Sequence, residues 1–432
     1  MEFLEVIVLV LSFVVLLILG VPIAFSIGVA ALLTMLVSIA PDAAFTTMAQ
    51  RMATSLDSFA LLAIPFFILA GQFMNRGGIA SRLIDFAKAL VGTLPGGLAY
   101  VNIIACMLFG AISGSAVAAA SAIGGIMSPR MVKEGYSKPF SAAVNITSAT
   151  TGMIIPPSNI LIVYSLASGG VSIAALFVAG YVPGILLGLV LMFVAGFIAF
   201  KQRYPVGERT SLKEVIKKFF DALPSLLLLV VVIGGIIAGI FTATEASAIA
   251  VLYTLVLSMV VYRQIKIENL PEILINTVIT TSIVMLLIGT SMGMSWVMSF
   301  ENIPQGVSEA LLSISDNKIV VLIIINLILL FVGIFMDMTP AVLIFTPIFL
   351  PVVTALGVDP VHFGIMMVLN LCIGLCTPPV GSVLFVGCGV ANISISKVIK
   401  PLVPLFIAMV LALLLVTYVP ALSLWLPSVF GL

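Results

Sequence analysis

Two clusters of side-chain oxygens flank two Pro-Pro pairs in this chain. The first holds Ser113 and Ser115, then Asn145, Thr147, Ser148, Thr150 and Thr151 ahead of Pro156-Pro157 in "TTGMIIPPSNILI". The second holds Asp337 and Thr339, then Asn370 and Thr377 ahead of Pro378-Pro379 in "CIGLCTPPVGSVLF". Hydroxyl, amide and carboxylate oxygens suit a small hard cation such as sodium, and unwound carbonyls near Gly152 and Gly374 can complete its shell. Proline removes a backbone donor and clashes with the preceding turn, so each pair breaks the helix that carries it. A half-helix reopened after the break presents free N–H groups to an anion. Ser115, Pro157, Ser158 and Asn159 on one side, with Pro379 and Gly381 on the other, are therefore expected to face an anionic substrate. Glycine at 381 lets a ligand approach the backbone.

The elements that position these residues must be membrane helices. The chain has 432 residues, 62% hydrophobic and 8% charged, with a mean hydropathy of +1.35. Soluble domains carry about 25% charge. Many apolar blocks reach the roughly 20 residues that span a bilayer as helix. The first, Val6 to Ile39, lacks a basic n-region and is too long to be a cleaved signal. A net charge of +1 excludes nucleic-acid binding. The cysteines, Cys106, Cys372, Cys376 and Cys388, lie in apolar runs and are expected as small apolar fillers, not metal ligands. His362 is the lone histidine, which argues against histidine acid–base chemistry, and no cofactor is expected beyond a coupling ion. Glu245, in "GIFTATEASAIA", is expected to be structural and hydrogen-bonded, whereas an ionisable Asp337 deep in an apolar block is a functional candidate by default.

The chain also repeats itself. Leu108–Pro129 lies above Leu330–Pro351, and at the same offset of 222 residues Gly152 meets Gly374, Pro156-Pro157 meet Pro378-Pro379, and Gly71 meets Gly293. Two halves are expected, about 1–205 and 222–432, joined by a polar linker at 206–221. Lys and Arg favour cytoplasmic loops. Segments 75–97 and 129–139 and the region 201–221, which includes Arg203, Glu208, Arg209 and Lys218, are basic, whereas 297–319 and 351–361 are acidic. Corresponding loops thus fall on opposite sides, the mark of an inverted-topology repeat. Each half is expected to hold five crossings and one re-entrant hairpin. Scaffold helices would occupy about 1–74 and 222–298, with an inner-surface amphipathic helix at about 78–95. The hairpins and broken helices would occupy about 98–170 and 320–392, with tips at "SGS" (Ser113–Ser115) and "MDMT" (Met336–Thr339). Both termini would lie outside.

The stretches "GAISGSAVA", "IIPPS", "VSIAALFVAGYVPGILLG", "GIFTATEASAIAVLY" and "TPPVGSVLFVGC" resemble the large membrane (M) subunit of tripartite ATP-independent periplasmic (TRAP) transporters over nearly the whole chain. The resemblance implies an all-α polytopic, elevator-type, sodium-driven importer of small organic acids in the bacterial inner membrane. It implies two partners, a small four-helix (Q-type) membrane subunit and a periplasmic (P-type) substrate-binding protein. It also implies that Ser113, Ser115, Asn145 and Gly152 serve one sodium, and Asp337, Thr339, Gly374 and Thr377 another. With no apolar helices ahead of Val6, the small subunit is expected as a separate chain. Many members carry an acidic residue where this chain has "AAASAIGG", so an acidic sugar such as sialic acid stands beside a C4-dicarboxylate as the expected substrate. The alternative is a stand-alone divalent-anion/sodium symporter, which needs neither partner.

Overall fold

The computed structural model describes residues 2–206 and 211–432, and nearly all its regular structure is α-helix. The first half runs α1 (Glu2–Ile18), α2 (Ile23–Ser38), α3 (Pro41–Leu56), α4 (Ala63–Arg76), α5 (Ile79–Val91), α6 (Gly97–Ser113), α7 (Ala116–Lys133), α8 (Lys138–Ala149), α9 (Asn159–Ala167) and α10 (Ile173–Lys201). The second runs α11 (Leu212–Ile237), α12 (Ala243–Val256), α13 (Leu270–Phe300), α14 (Ile303–Ile314), α15 (Lys318–Phe335), α16 (Met338–Ala355), α17 (Pro360–Gly374), α18 (Ser382–Val390), α19 (Ile395–Tyr418) and α20 (Ala421–Phe430). Eight helical stretches among the described residues are long and apolar enough to cross a membrane, in keeping with the composition.

Local sequence explains the punctuation. The long first block divides at Gly20 (φ +79°) and Pro22, which separate α1 from α2. The α6–α7 hairpin turns at Gly114, whose φ of +60° is a left-handed conformation that glycine adopts without a Cβ clash. Helix α5 is amphipathic: Ile79, Leu83, Ile84 and Ala87 are buried, while Asp85 faces outward to pair with Lys218 at 3.0 Å and Arg130 at 3.6 Å.

The pairing with Lys218 corrects the expected linker. Ser211 caps α11, its Oγ accepting from the Glu214 amide, so Leu212–Asp221 is helical rather than connecting chain. Glu208 and Arg209 lie outside the described residues. Helix α3, half polar and rich in Thr, Ala and Met, also escapes a search for long apolar blocks. It packs on α13 and α2.

Helices α2, α3 and α4 pack with α12 and α13, while α6–α9 and α15–α18 interlock with α10 and α19. Element boundaries follow the sequence spacing: α7 and α16 start at residues 116 and 338 and end at 133 and 355. Close approach of backbones fixes the hairpins to the broken helices. A Cβ on Gly110 would sit 2.9 Å from Gly152 Cα, and one on Gly374 would sit 2.6 Å from Gly333 Cα. Both glycine pairs let two backbones touch where no side chain fits.

Candidate functional site

The first break begins where α8 ends at Ala149. A short 3₁₀ turn at Thr151–Met153 and a cis Pro156-Pro157 bond follow before α9 starts at Asn159. The second runs from Gly374 through a cis Pro378-Pro379 bond to Ser382. The prolines do not open the new half-helices; each pair precedes a non-proline N-cap, Ser158 or Gly381. The two breaks meet: Cys372 Sγ donates to the Thr150 carbonyl and Cys376 Sγ to the Ile146 carbonyl, each at 3.4 Å. The two cysteines thus serve the contact between breaks.

Both hairpin tips and the start of α9 open onto one cavity of about 290 Å³. Ser113, Ser115 and Asn159 line it from the first half, and Asp337 and Thr339 from the second. Ser115 and Asp337, 222 residues apart in the sequence, thereby line one cavity. Ser115 is committed locally, since its Oγ accepts from the Ala118 amide at 3.2 Å and caps α7. Asp337 caps α16 without a side-chain hydrogen bond, which leaves its exposed carboxylate free to face the cavity. Ser113 Oγ and Asn159 Oδ1 are buried and find no partner among the described residues. Such an atom costs about 1–3 kcal/mol, and a bound ion or polar ligand would offset that cost.

Three helix N-termini converge here, those of α7, α9 and α16, through Ala116, Asn159 and Met338. Each carries roughly half a positive charge on its free amides. No Lys, Arg or His lines the cavity. Its chemistry is therefore dual: amide donors for an anion, and a carboxylate with unpartnered oxygens for a cation.

Other expected site residues do not line the cavity. Asn145 Nδ2 donates to the Ala120 carbonyl at 2.9 Å. Thr150 Oγ1 donates to the Thr147 carbonyl at 3.0 Å, and Thr377 Oγ1 to the Ile373 carbonyl at 2.8 Å. Asn370 Nδ2 donates to the carbonyl and Oδ1 of Asn326, at 2.9 and 2.7 Å, while its own Oδ1 is buried without a partner. Ser158 donates to the Met153 carbonyl. Gly152 and Gly374 hold the backbone contacts described above. Pro157, Pro379 and Gly381 do not line the cavity either.

The sequence reading missed Gln72 and Asn75 of α4 and Thr280 of α13, which line the same cavity. Gln72 and Asn75 stand three apart in "FFILAGQFMNR", a polar pair on one helix face. That signal is legible, but a basic residue beside it reads as the end of a span. The polar contacts of Glu245 and His362 lie elsewhere. Glu245 Oε2 accepts from the Thr242 amide (2.8 Å) and hydroxyl (2.9 Å), a capping box at the start of α12. His362 is hydrogen-bonded to Ser423 Oγ (2.6 Å) and to the Thr417 carbonyl (3.2 Å), joining α17 to the last two helices.

Comparison with known proteins gives this arrangement a context. The family model "Tripartite ATP-independent periplasmic transporter, DctM component" matches residues 10–422. The uncharacterized protein YgiK of Salmonella typhimurium is 59% identical over 97% of this chain and 96% of its own length. The C4-dicarboxylate TRAP transporter large permease protein DctM of Rhodobacter capsulatus is 40% identical over 96% of each chain. The sialic acid TRAP transporter large permease protein SiaM of Vibrio cholerae is 40% identical over 95% of this chain and 96% of its own. Among solved structures, the Alcanivorax borkumensis YdaH transporter has a TM-score of 0.63 at 12% identity, over 90% of this chain and 88% of that one. This is a likeness of fold alone.

Proposed function

The chain belongs to the family of DctM components of tripartite ATP-independent periplasmic transporters, a transporter permease and not an enzyme, and from that premise we propose that it imports a small organic acid in symport with sodium. The cavity shared by the two hairpin tips carries this reading. Asp337 and Thr339 at one tip, and Ser113 and Ser115 at the other, supply oxygens for sodium. Asn145, Thr150, Gly152, Asn370, Gly374 and Thr377 shape the two breaks behind the tips, where unwound carbonyls complete the ion shells. The amides of α7, α9 and α16 hold the acid.

Inverted repetition of the two halves lets the same machinery open to either side. The hairpins and broken helices then move as one elevator body against a scaffold built from α1–α4 and α11–α13. The protein would reside in the inner membrane with both termini in the periplasm. A small Q-type membrane subunit and a periplasmic binding protein complete the tripartite assembly, and the binding protein delivers the acid. C4-dicarboxylates and sialic acid-like acidic sugars are the substrate classes that the named relatives support.

The test is uptake in proteoliposomes holding the chain and both partners. Uptake of the delivered acid is expected with an inward sodium gradient and not with potassium alone. Equal uptake in potassium overturns sodium coupling.

A further inference from the structure

We propose that Cys372 and Cys376 are positioning residues for the coupling ion: their thiols engage carbonyls of the first break and so set which carbonyls remain for sodium. The proposal rests on the sodium symport proposed above. The last four carbonyls of an α-helix have no partner within it. In α8 these belong to Ile146, Thr147, Ser148 and Ala149. Thr147 accepts from the Thr150 hydroxyl at 3.0 Å, and Ser148 from the Thr151 hydroxyl at 2.6 Å. A continuing helix would direct the Thr150 amide to Ile146, but here it turns to Ser148. The Ile146 carbonyl is left to the Cys376 thiol at 3.4 Å.

Just past the helix, the Thr150 carbonyl takes two donors, the Met153 amide at 3.1 Å and the Cys372 thiol at 3.4 Å. No donor among the described residues reaches the carbonyls of Ala149 and Gly152, although both residues are buried. A buried carbonyl without a partner is costly, and a bound cation offsets that cost. Thr150 stands between the two, and its carbonyl is held from both sides, so the flanking peptide planes keep one orientation. The bond from Cys372 joins positions one repeat spacing, 222 residues, apart. A shift of the second break is thereby passed to the carbonyls of the first. Both thiols are fully buried. A thiol is a small apolar group with a weak donor, so it engages a carbonyl at membrane depth without needing further partners of its own.

The full-length chain in lipid nanodiscs gives the test, by thermal unfolding over a sodium titration balanced with potassium. Removing groups that orient a metal's ligands typically weakens binding by about 10–100-fold, and a thiol is a weak one, so Cys372→Ala with Cys376→Ala should raise the half-maximal sodium concentration at least about threefold. Serine at both positions keeps a donor and should hold that concentration within about twofold of wild type. Cys388→Ala, in α18 outside both breaks, should not move it. In the wild type, the infrared S–H stretching band that the alanine variant lacks should shift when sodium replaces potassium, a signature that packing alone does not produce. If the double variant does not fold, Cys376→Ala alone carries the titration and the infrared difference. Alanine variants that titrate as wild type, serine variants that titrate as alanine, or an S–H band indifferent to sodium each overturn the positioning role and leave sodium symport standing. A wild-type midpoint no higher in sodium than in potassium overturns sodium coupling itself, and this proposal with it.

Discussion

The two helix breaks share a motif and a spacing, yet their surroundings differ. Residues 150–158 of the first are all buried. Helix α10 covers them at close range because Gly180 and Gly184 leave room for Ile154, Ile155 and Pro156. At the second break Pro379 and Val380 are exposed, Val380 by 42%. The α19 residue in the place of Gly180 is Leu402, itself buried. The tips differ in the same manner. Ser115 spends its oxygen on capping α7, whereas Asp337 makes no such bond. The motif thus opens the helix in both halves, and the neighbours decide what the opening exposes. The first break is sealed and brings one side-chain amide, Asn159, to the cavity. The second half contributes the free carboxylate.

This contrast can be broken at several points. Gly152→Leu should have the largest effect, since its Cβ would sit 2.6 Å from the Gly110 carbonyl carbon and 2.7 Å from the Ala111 nitrogen. Overpacking commonly costs about 1–3 kcal/mol, and here backbone rather than side chain must yield, so loss of monodisperse protein in detergent is expected. Val380→Leu at the exposed break should stay within about 0.5 kcal/mol of wild type. Equal losses would erase the difference in burial between the breaks.

The next effect concerns the tips. Asp337→Ala should raise the sodium concentration for half-maximal uptake at least about tenfold, equivalent to ~1.4 kcal/mol. An unchanged sodium titration removes the carboxylate from the proposed ion shell. Ser115→Ala should act less on sodium and more on stability, costing about 1 kcal/mol of cap energy in a melting experiment. A sodium shift as large as that of Asp337→Ala would make the tips equivalent. Smallest of all, Glu245→Gln should weaken the α12 capping box, with a slight fall in melting temperature and an unmoved sodium titration. A changed titration would mean that Glu245 couples to the site from outside it.

Much of this was legible from residue types. The helix interruptions at the twin Pro-Pro pairs, the turns near Ser113–Ser115 and Met336–Thr339, and an amphipathic helix over Ile79–Val91 fall where helix breakers and apolar periodicity stand in the chain. Amphipathic pieces were harder. Leu212–Asp221 carries Lys213, Lys217 and Lys218 and reads as a polar connector, but one face of it packs against α5. The candidate site was half legible. Its oxygens announced themselves by sitting in apolar runs, yet the same types at Thr150, Thr377 and Asn145 turned out to bond nearby carbonyls. Sequence shows that a polar group is present in lipid, not which neighbour satisfies it.

By itself the sequence determined the solvent, the helical class, the places where helices must break and the spacing that relates the two halves. These depend on local chemistry: hydropathy over a span, the missing amide of proline and the missing Cβ of glycine. The tertiary structure alone decided that Ser113 and Asp337 share one cavity, that the breaks touch through Cys372 and Cys376, and that Gln72 and Asn75 line that cavity too. Those are contacts between segments more than 35 residues apart, and in the case of Cys372 and Thr150 222 apart. They arise from how close two backbones can pack, a property that belongs to pairs of helices and to no single stretch of chain.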